Sequence, residues 1–179
     1  MSTAQYGFYY DAGRCIGCRA CVFACKDWND NAVGESVYWR HVTTVESGRA
    51  PNVRLTNQSI ACNHCAKPAC VDACPAKAIS KRSDDGIVVV DKSKCTGCKT
   101  CGEACPYGAP QYGTDGKMQK CDLCLDKIKQ GQKTACDAAC TGDALYAGPL
   151  NELARVWAQK TRATSTGATQ PSLLLPKLN

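Results

Sequence analysis

The chain has 179 residues, of which 16 are cysteine but only 2 phenylalanine and 2 methionine, so bulky apolar side chains are too few for a large conventional core. Disulfide bonds or bound metal must therefore replace part of the packing energy. The longest purely aliphatic runs, residues 87–90 and 173–175, are far shorter than a membrane span. The formal net charge of +6 suits a nucleic-acid ligand, but it counts every cysteine as neutral.

The amino-terminal segment MSTAQYGFYYD does not have the pattern of an export signal. It lacks a charged leader, an apolar stretch and a small-residue cleavage site, and the sequence contains no Arg-Arg pair. We therefore expect a soluble, cytoplasmic chain, or one exported only with a signal-bearing partner, which leaves disulfides without their usual compartment. The aromatic residues 6–10 predict a strand that leads into the first cysteines.

A cysteine-free insertion and a hairpin separate the cysteine-rich parts of the chain. Residues 27–60 contain Trp28 and Trp39, which we expect to pack in a satellite core, with contact to a partner as the alternative. Residues 79–90 predict a hairpin with its turn at Asp85-Gly86. This hairpin joins the second group of cysteines to the third.

Short helices are expected where proline or glycine follows the closing cysteine of a group, at residues 75–78 and 142–146. Apolar side chains at helical spacing predict one amphipathic helix over residues 150–160. The segment TRATSTGATQP (161–171) is expected to be a polar linker, and SLLLPKLN (172–179) is a short apolar end. Such a tail seldom orders without a surface to lie on, and we expect it to help docking to a partner.

The cysteines form four groups of four, and none is left over. Every group opens with C-x2-C and closes with C-x3-C, while the middle gap is two residues in the first and third groups, four in the second and eleven in the fourth. The groups are Cys15, Cys18, Cys21 and Cys25; Cys62, Cys65, Cys70 and Cys74; Cys95, Cys98, Cys101 and Cys105; and Cys121, Cys124, Cys136 and Cys140. The repeat indicates four similar metal centres.

Zinc and disulfides explain this spacing poorly. A structural zinc site usually uses two C-x2-C pairs separated by a long loop, whereas three cysteines fall within seven residues in two of the groups here. Disulfides join cysteines across a fold, and a C-x2-C-x2-C run is badly placed for that. Iron-sulfur clusters fit the pattern best.

The stretch CTGCKTCGEACP (95–106) matches the bacterial ferredoxin pattern C-x2-C-x2-C-x3-C-P, in which the fourth cysteine ligates the neighbouring cluster. Pro106 redirects the chain, so Cys105 points away from the cluster of its own group. The second and third groups therefore exchange their last cysteines, and by elimination so do the first and fourth. The predicted sets are site A (Cys15, Cys18, Cys21, Cys140), site B (Cys25, Cys121, Cys124, Cys136), site C (Cys62, Cys65, Cys70, Cys105) and site D (Cys74, Cys95, Cys98, Cys101).

Spacing alone leaves a second pairing open, in which the first group exchanges with the second and the third with the fourth. Lys26 and Thr141 stand where proline is expected, and the eleven-residue gap is unusual. His41 and His64 lie near possible sites, but the cysteines already complete the ligand count. We expect His64 to donate a hydrogen bond near a cluster or to pack its loop.

Clusters change the charge balance. Four clusters with their thiolates contribute about −8, which turns the balance slightly negative. The lysines beside the cysteines then compensate local charge, with an ordinary solvated surface as the alternative; these are Lys26, Lys67, Lys99 and Lys120. The sequence has no dinucleotide loop, phosphate loop or catalytic constellation, so we expect a non-catalytic electron carrier.

Several segments together resemble the four-cluster iron-sulfur subunit of the dimethyl sulfoxide reductase family, over about residues 5–149. They are YGFYYD, RCIGCRACVFACKDW, CNHCAKPACVDACP, DDGIVVVDKSKCTGCKTCGEACPYGAPQY and KCDLCLDKIKQGQKTACDAACTGDAL. The resemblance implies the nested pairing of sites A to D. It also implies a large catalytic subunit with molybdenum or tungsten on a bis-pterin cofactor and, in many members, a membrane anchor that exchanges electrons with quinol. Related nitrate reductases have tryptophan at the position of Cys98 and a three-iron cluster, so Cys98 implies four complete 4Fe-4S clusters.

We therefore predict an α+β protein of two nested ferredoxin-like modules. The outer module comprises residues 1–55, including the insertion 27–55, and residues 107–149; the inner module is 56–106, and 150–179 form a helix and tail. The predicted function is electron transfer, typical of anaerobic respiration, between the catalytic subunit and a quinol-linked anchor or another carrier. A subunit of a hydrogenase or other redox complex, and a zinc-stabilised interaction module, are the alternatives.

Overall fold

The computed structural model describes residues 4–31, 37–156, 161–163 and 168–176. Short strands and short helices make up this part of the chain, in agreement with the predicted α+β class. The strands are β1 (Tyr6–Tyr10), β2 (Arg40–Arg49), β3 (Asn52–Ala61), β4 (Ile79–Lys81), β5 (Val88–Val90), β6 (Gln111–Tyr112), β7 (Met118–Gln119), β8 (Leu145–Pro149), β9 (Thr161–Ala163) and β10 (Leu173–Pro176). The helices are α1 (Ala20–Trp28), α2 (Ala69–Asp72), α3 (Thr100–Ala104), α4 (Leu125–Lys129), α5 (Ala135–Ala138) and α6 (Leu150–Val156).

A four-stranded sheet in the order β8-β1-β10-β9 joins the two ends of the chain. Strand β1, predicted from its aromatic residues, is antiparallel to β8 and parallel to β10. The helix predicted at residues 142–146 is wrong, because β8 begins at Leu145, which pairs with Tyr10. Pairing with a strand more than 130 residues away thus outweighs the local turn signal of Gly142.

The same arrangement of strands and cysteines occurs twice. Strand β4 begins five residues after Cys74, and β8 begins five residues after Cys140. Strands β5 and β1 end five residues before Cys95 and Cys15, respectively. Each returning strand pairs with the matching leading strand, at Ile79↔Val90 and at Leu145↔Tyr10. The ladder β4–β5 is the hairpin predicted over residues 79–90.

The helices lie inside the cysteine groups and not after them. Helix α1 contains Cys21 and Cys25, whereas α3 contains Cys101 and ends before Cys105. Helices α2 and α5 contain the third cysteines of the second and fourth groups. The helix predicted at residues 75–78 is therefore wrong: this segment is a turn in which the backbone N–H of Lys77 donates to the carbonyl of Cys74 over 3.1 Å.

Most of the insertion forms a long two-stranded arm, β2–β3, which pairs from Arg40↔Ala61 to Arg49↔Asn52. Its outer part is exposed to solvent. Trp39 packs against the core as predicted, and its Nε1 donates to Gln119. Trp28 is 44% exposed, so the prediction of core packing is wrong for this residue.

The described parts of the carboxyl-terminal segment pack against strand β1 and against the loop between Cys65 and Cys70. Helix α6 agrees with the first part of the helix predicted over 150–160, whose remaining residues 157–160 lie outside the described part. The segment predicted as a polar linker contains β9, which pairs with β10, and β10 in turn lies beside β1. We call residues 168–176 the strap, because the backbone of Thr169 and Gln170 accepts hydrogen bonds from the loop between Cys65 and Cys70.

The core is small and is built around the cysteines. One cluster of buried residues combines Phe8, Ile87, Leu123 and Leu145 with cysteines of sites A, B and C. A second cluster combines Ile79, Val88 and Met118 with Cys101. Within the described ranges, no helix is long and apolar enough to cross a membrane.

Candidate metal centres

Sites C and D are cavities between the second and third groups of cysteines. Cys62, Cys65 and Cys70 line a cavity of about 390 Å³ together with Cys105. Cys95, Cys98 and Cys101 line a cavity of about 330 Å³ together with Cys74. The last cysteine of each group therefore lines the cavity of the other group.

Site A is a similar cavity of about 340 Å³, lined by Cys15, Cys18, Cys21 and Cys140. At site B all four cysteines are buried. Burial raises the pKa of Cys25 to about 12, with a further contribution from the negative charge of Cys136 and Cys124. Burial likewise raises the pKa of Cys121, and the nearby Cys25 and Cys136 add to it. The structure therefore places the cysteines of sites A, C and D around one cavity each, and the cysteines of site B close enough for their charges to act on one another.

The donor sets of sites A, C and D are suited to an iron-sulfur cluster, because their four thiol sulfurs line a common cavity in each case. Four thiolates around such a space are the ligand set of a 4Fe-4S cluster.

The sites follow one another in the order A, B, C, D. Helix α1 carries Cys21 of site A and Cys25 of site B, and it packs on α5, which supplies Cys136. Cys121 of site B lies close enough to Cys62 of site C for their charges to interact. Helices α2 and α3 pack together and carry ligands of sites C and D. Neighbouring sites are therefore linked through shared elements.

The two end sites each have one exposed cysteine, whereas the other fourteen are buried or half-buried. The exposed residues are Cys18 of site A and Cys98 of site D. A hydrogen bond from Thr141 lowers the pKa of Cys18, and one from Thr100 lowers the pKa of Cys98. Thr141 occupies the position where the sequence pattern expects proline.

Backbone N–H groups donate to the sulfurs in a repeated pattern. The N–H of Ala78 donates to Cys74 and the N–H of Ala144 donates to Cys140, both over 3.3 Å. In each case the donor is four residues after the acceptor, so both copies of the repeated strand and cysteine arrangement have this contact. Hydrogen bonds to cluster sulfurs are a main determinant of reduction potential.

Segments outside the cysteine groups supply further contacts. The hydroxyl of Ser59, in the arm, lies 3.5 Å from the sulfur of Cys21. Thr169, in the strap, lines the cavity of site C with Cys65, where its hydroxyl opposes the rise that burial causes in the pKa of Cys65. The same hydroxyl lies 2.9 Å from the hydroxyl of Tyr107. Sequence reasoning missed these residues, because the spacing of the cysteines does not show which distant segment covers them.

Buried cations lie between the sites. Of the four lysines expected to compensate charge, Lys26 and Lys120 are buried and the other two are exposed. Arg40, at the base of the arm, is buried as well and was missed in the sequence. Lys120 donates to the carbonyls of Val88 and Cys121. These three buried side chains therefore place positive charge among the cysteines.

His64 is wholly buried beside site C and packs its loop, one of the two roles expected for it. Its Nδ1 accepts a hydrogen bond of 3.0 Å from the backbone N–H of Val88. Burial lowers its pKa well below the usual value, and the charges of Lys120 and Lys81 lower it further. His64 is therefore neutral at pH 7, with its proton on Nε2.

Comparison with known proteins agrees with the geometry of the sites. A family model described as a 4Fe-4S dicluster domain matches residues 53–150, and one described as a 4Fe-4S binding domain matches residues 6–27. The B subunit of anaerobic dimethyl sulfoxide reductase from Escherichia coli is 45% identical over 84% of this chain and 77% of its own length. The corresponding subunit from Haemophilus influenzae is 40% identical over 96% of this chain and 88% of its own length.

A third relative carries its role in its name. The thiosulfate reductase electron transfer subunit PhsB of Salmonella typhi is 39% identical over 84% of this chain and 79% of its own length. The matched ranges of the two family models contain all four cysteine groups. The protein therefore belongs to the family of 4Fe-4S iron-sulfur subunits that includes the B subunit of dimethyl sulfoxide reductase.

Proposed function

We propose that this protein is the electron-transfer subunit of a multi-subunit oxidoreductase and binds four 4Fe-4S clusters, one at each of sites A to D. The observation that carries the proposal is the convergence of four cysteines at each site, with the last cysteine of every group contributed to a neighbouring site. Each cluster supplies one-electron redox chemistry when bound. With this ligand set, the protein would pass electrons between the clusters and would not itself catalyse a reaction.

The protein's own residues determine how electrons pass. The shared helices keep neighbouring sites at a fixed short distance, and the buried apolar residues around them exclude water. Cys18 and Cys98 bring the two end sites to the surface, whereas the cysteines of site B are all buried. Electrons then enter and leave near these two residues, and sites B and C connect them.

The proposed domain organisation is the nested one. The twice-repeated strand and cysteine framework supports an inner module of residues 56–106, enclosed by an outer module of residues 1–55 and 107–149. The strap joins the outer sheet to site C, so this part of the carboxyl-terminal segment is packed on both proposed modules. A protein of this kind keeps all four clusters in one rigid unit.

The partner is proposed to be a larger catalytic subunit that holds molybdenum or tungsten on a bis-pterin cofactor. Relatives that serve reductases of dimethyl sulfoxide and thiosulfate support this choice. The second contact, at the opposite end of the series of sites, is proposed to be a quinol-linked membrane anchor or another carrier. The compartment then follows that of the catalytic subunit, whose signal directs the complex.

Metal analysis and spectroscopy of the full chain, assembled without oxygen, test this function. We expect about sixteen irons per chain, which is four per cluster, broad absorption near ~400 nm, and four reducible centres by potentiometric electron paramagnetic resonance. A colourless zinc protein, or an iron content near eight, would refute the four-cluster proposal. Purification of the native complex would identify the catalytic subunit and would reject this partner if a hydrogenase subunit copurified instead.

A further inference from the structure

Arg40 is a buried cation without a counter-ion in the described part of the chain. It is only 2% exposed, and its guanidinium carbon lies 4.6 Å from the centre of the Phe8 ring. Its Nη1 donates to the hydroxyl of Ser59 over 3.0 Å, but neither Nε nor Nη2 has a hydrogen-bond partner. A buried charge is costly unless it is compensated, so a source of negative charge must lie nearby.

Cysteines of two sites supply that charge. Burial alone lowers the pKa of Arg40, but the negative charge of the surrounding cysteine sulfurs outweighs it, so the pKa is raised above its usual value. The sulfurs are those of Cys21 in site A and of Cys25, Cys121 and Cys136 in site B. Arg40 therefore lies at the junction of sites A and B.

A second contact connects Arg40 to site A. The hydroxyl of Ser59 receives a hydrogen bond from Nη1 of Arg40 and itself lies 3.5 Å from the sulfur of Cys21. Arginine suits this position because it stays protonated and because its planar group presents donors in several directions. With Nη1 used by Ser59, Nε and Nη2 are buried donors that hydrogen-bond no described residue.

We propose that Arg40 is a positioning residue that raises the reduction potentials of the clusters at sites A and B. This inference rests on the proposed four-cluster function. A reduced cluster carries one more negative charge than an oxidised one, so a fixed buried cation stabilises the reduced form more. None of the cysteines whose charges act most strongly on Arg40 belongs to site C or D. Arg40 does lower the pKa of His64 beside site C, so a smaller effect is expected there and none at site D.

The test replaces Arg40 with Met, which removes the charge and keeps much of the volume, in the full chain assembled with iron and sulfide without oxygen. Arg54→Met, on the exposed part of the arm, is the matched control. Potentiometric electron paramagnetic resonance then measures each site, with signals assigned from variants that lack one cysteine of that site. We expect the equilibrium constant for reduction at sites A and B to fall at least tenfold, or 59 mV for one electron. A smaller decrease is expected at site C, and none at site D or in the Arg54 variant.

Arg40→Lys restores the charge and should recover most of the shift. If R40M cannot hold clusters at sites A and B, the iron content of R40K decides: full occupancy supports the role of the charge, and loss of the same clusters overturns it. Unchanged potentials at sites A and B in R40M, or an equal shift at all four sites, also overturn it. Failure of the unaltered protein to bind about sixteen irons would instead reject the proposed function.

Discussion

The strap gives a direct test of how a segment without metal ligands adjusts one cluster. Thr169→Val removes a hydroxyl and keeps the shape of a side chain that is only 8% exposed. The lost hydroxyl lines the cavity of site C beside Cys65, a proposed ligand, and lowers the pKa of that thiol against the larger effect of burial. Because a hydroxyl placed in this way favours the more negative state of the sulfur, its loss should lower the reduction potential of site C.

The size of the effect follows from the geometry. A hydrogen bond is worth about 1 kcal/mol net, and Cys65 is half-buried, which keeps the value near this central figure. Since about 1.4 kcal/mol and 59 mV both correspond to a tenfold change for one electron, the expected decrease is roughly 40 mV. Tyr107→Phe is the matched variant. It removes the Tyr107 hydroxyl, which lies 2.9 Å from the Thr169 hydroxyl, and keeps the Thr169 hydroxyl beside Cys65.

Potentiometric electron paramagnetic resonance of the full chain measures both variants. We expect a clear decrease at site C in T169V, less than half that decrease in Y107F, and no change at the other sites. An equal decrease in the two variants would show that the strap acts by excluding water and not through the Thr169 hydroxyl. An unchanged potential in T169V, with full iron content, would refute the reasoning.

Three further predictions follow from the sites and the core. Cys105→Ala should empty site C and not site D, so the iron content should fall from about sixteen to about twelve while the electron paramagnetic resonance signal of site D remains. Loss of the site D signal would contradict the exchange of ligands between the second and third groups. Thr100→Val removes the hydroxyl that donates to Cys98 and should lower the reduction potential of site D alone. The decrease should be smaller than that of site C in T169V, because the bond to Cys98 is exposed to solvent. Thr100→Ser keeps a hydroxyl and should leave the potential unchanged. Ile87→Ala opens a cavity at a residue with 0% exposure and should destabilise the fold by about 2–5 kcal/mol. Absorption near ~400 nm should then be lost at a lower temperature. Ile16→Ala, at 70% exposure, is the control, and an equal loss of stability in both variants would contradict the packing argument.

The cysteine spacing predicted which side chains meet, because the constraint is chemical and local. Three thiolates in seven residues leave the chain few ways to surround one centre, and the proline after Cys105 orients that residue. The hairpin at residues 79–90 was predictable for a similar reason, since Gly86 in its turn adopts a left-handed φ of 70°. Where residues close in sequence determine the structure, sequence reasoning succeeded.

Structure set by distant residues was not predicted. Leu145 belongs to a strand because Tyr10 pairs with it, and nothing in the residues around Leu145 contains that information. The arm had a signal in its runs of β-branched residues, such as 42–45, which favour strands. The buried Arg40 had none, because only the packed structure shows that a polar side chain at the base of the arm turns inward.

Segments outside the cysteine groups place polar or charged groups beside the cysteines of the proposed sites. The arm contributes Arg40 and Ser59 beside sites A and B, and the strap contributes Thr169 to site C. At site D, the ladder β6–β7 places the hydroxyl of Tyr112 3.4 Å from Cys101 and the N–H of Met118 3.3 Å from Cys95.

Ligand substitutions remove a cluster, whereas substitutions in these segments alter its surroundings and leave the sulfur ligands in place. Sites A and B share the arm, whereas sites C and D each have a covering segment of their own, so the potential of site C or site D can change while those of the other sites stay the same. The sequence of potentials along sites A to D is therefore determined largely by residues that the cysteine pattern does not include. Subunits with the same cysteine framework can then serve partners of different potential through changes in the arm, the strap and the β6–β7 ladder.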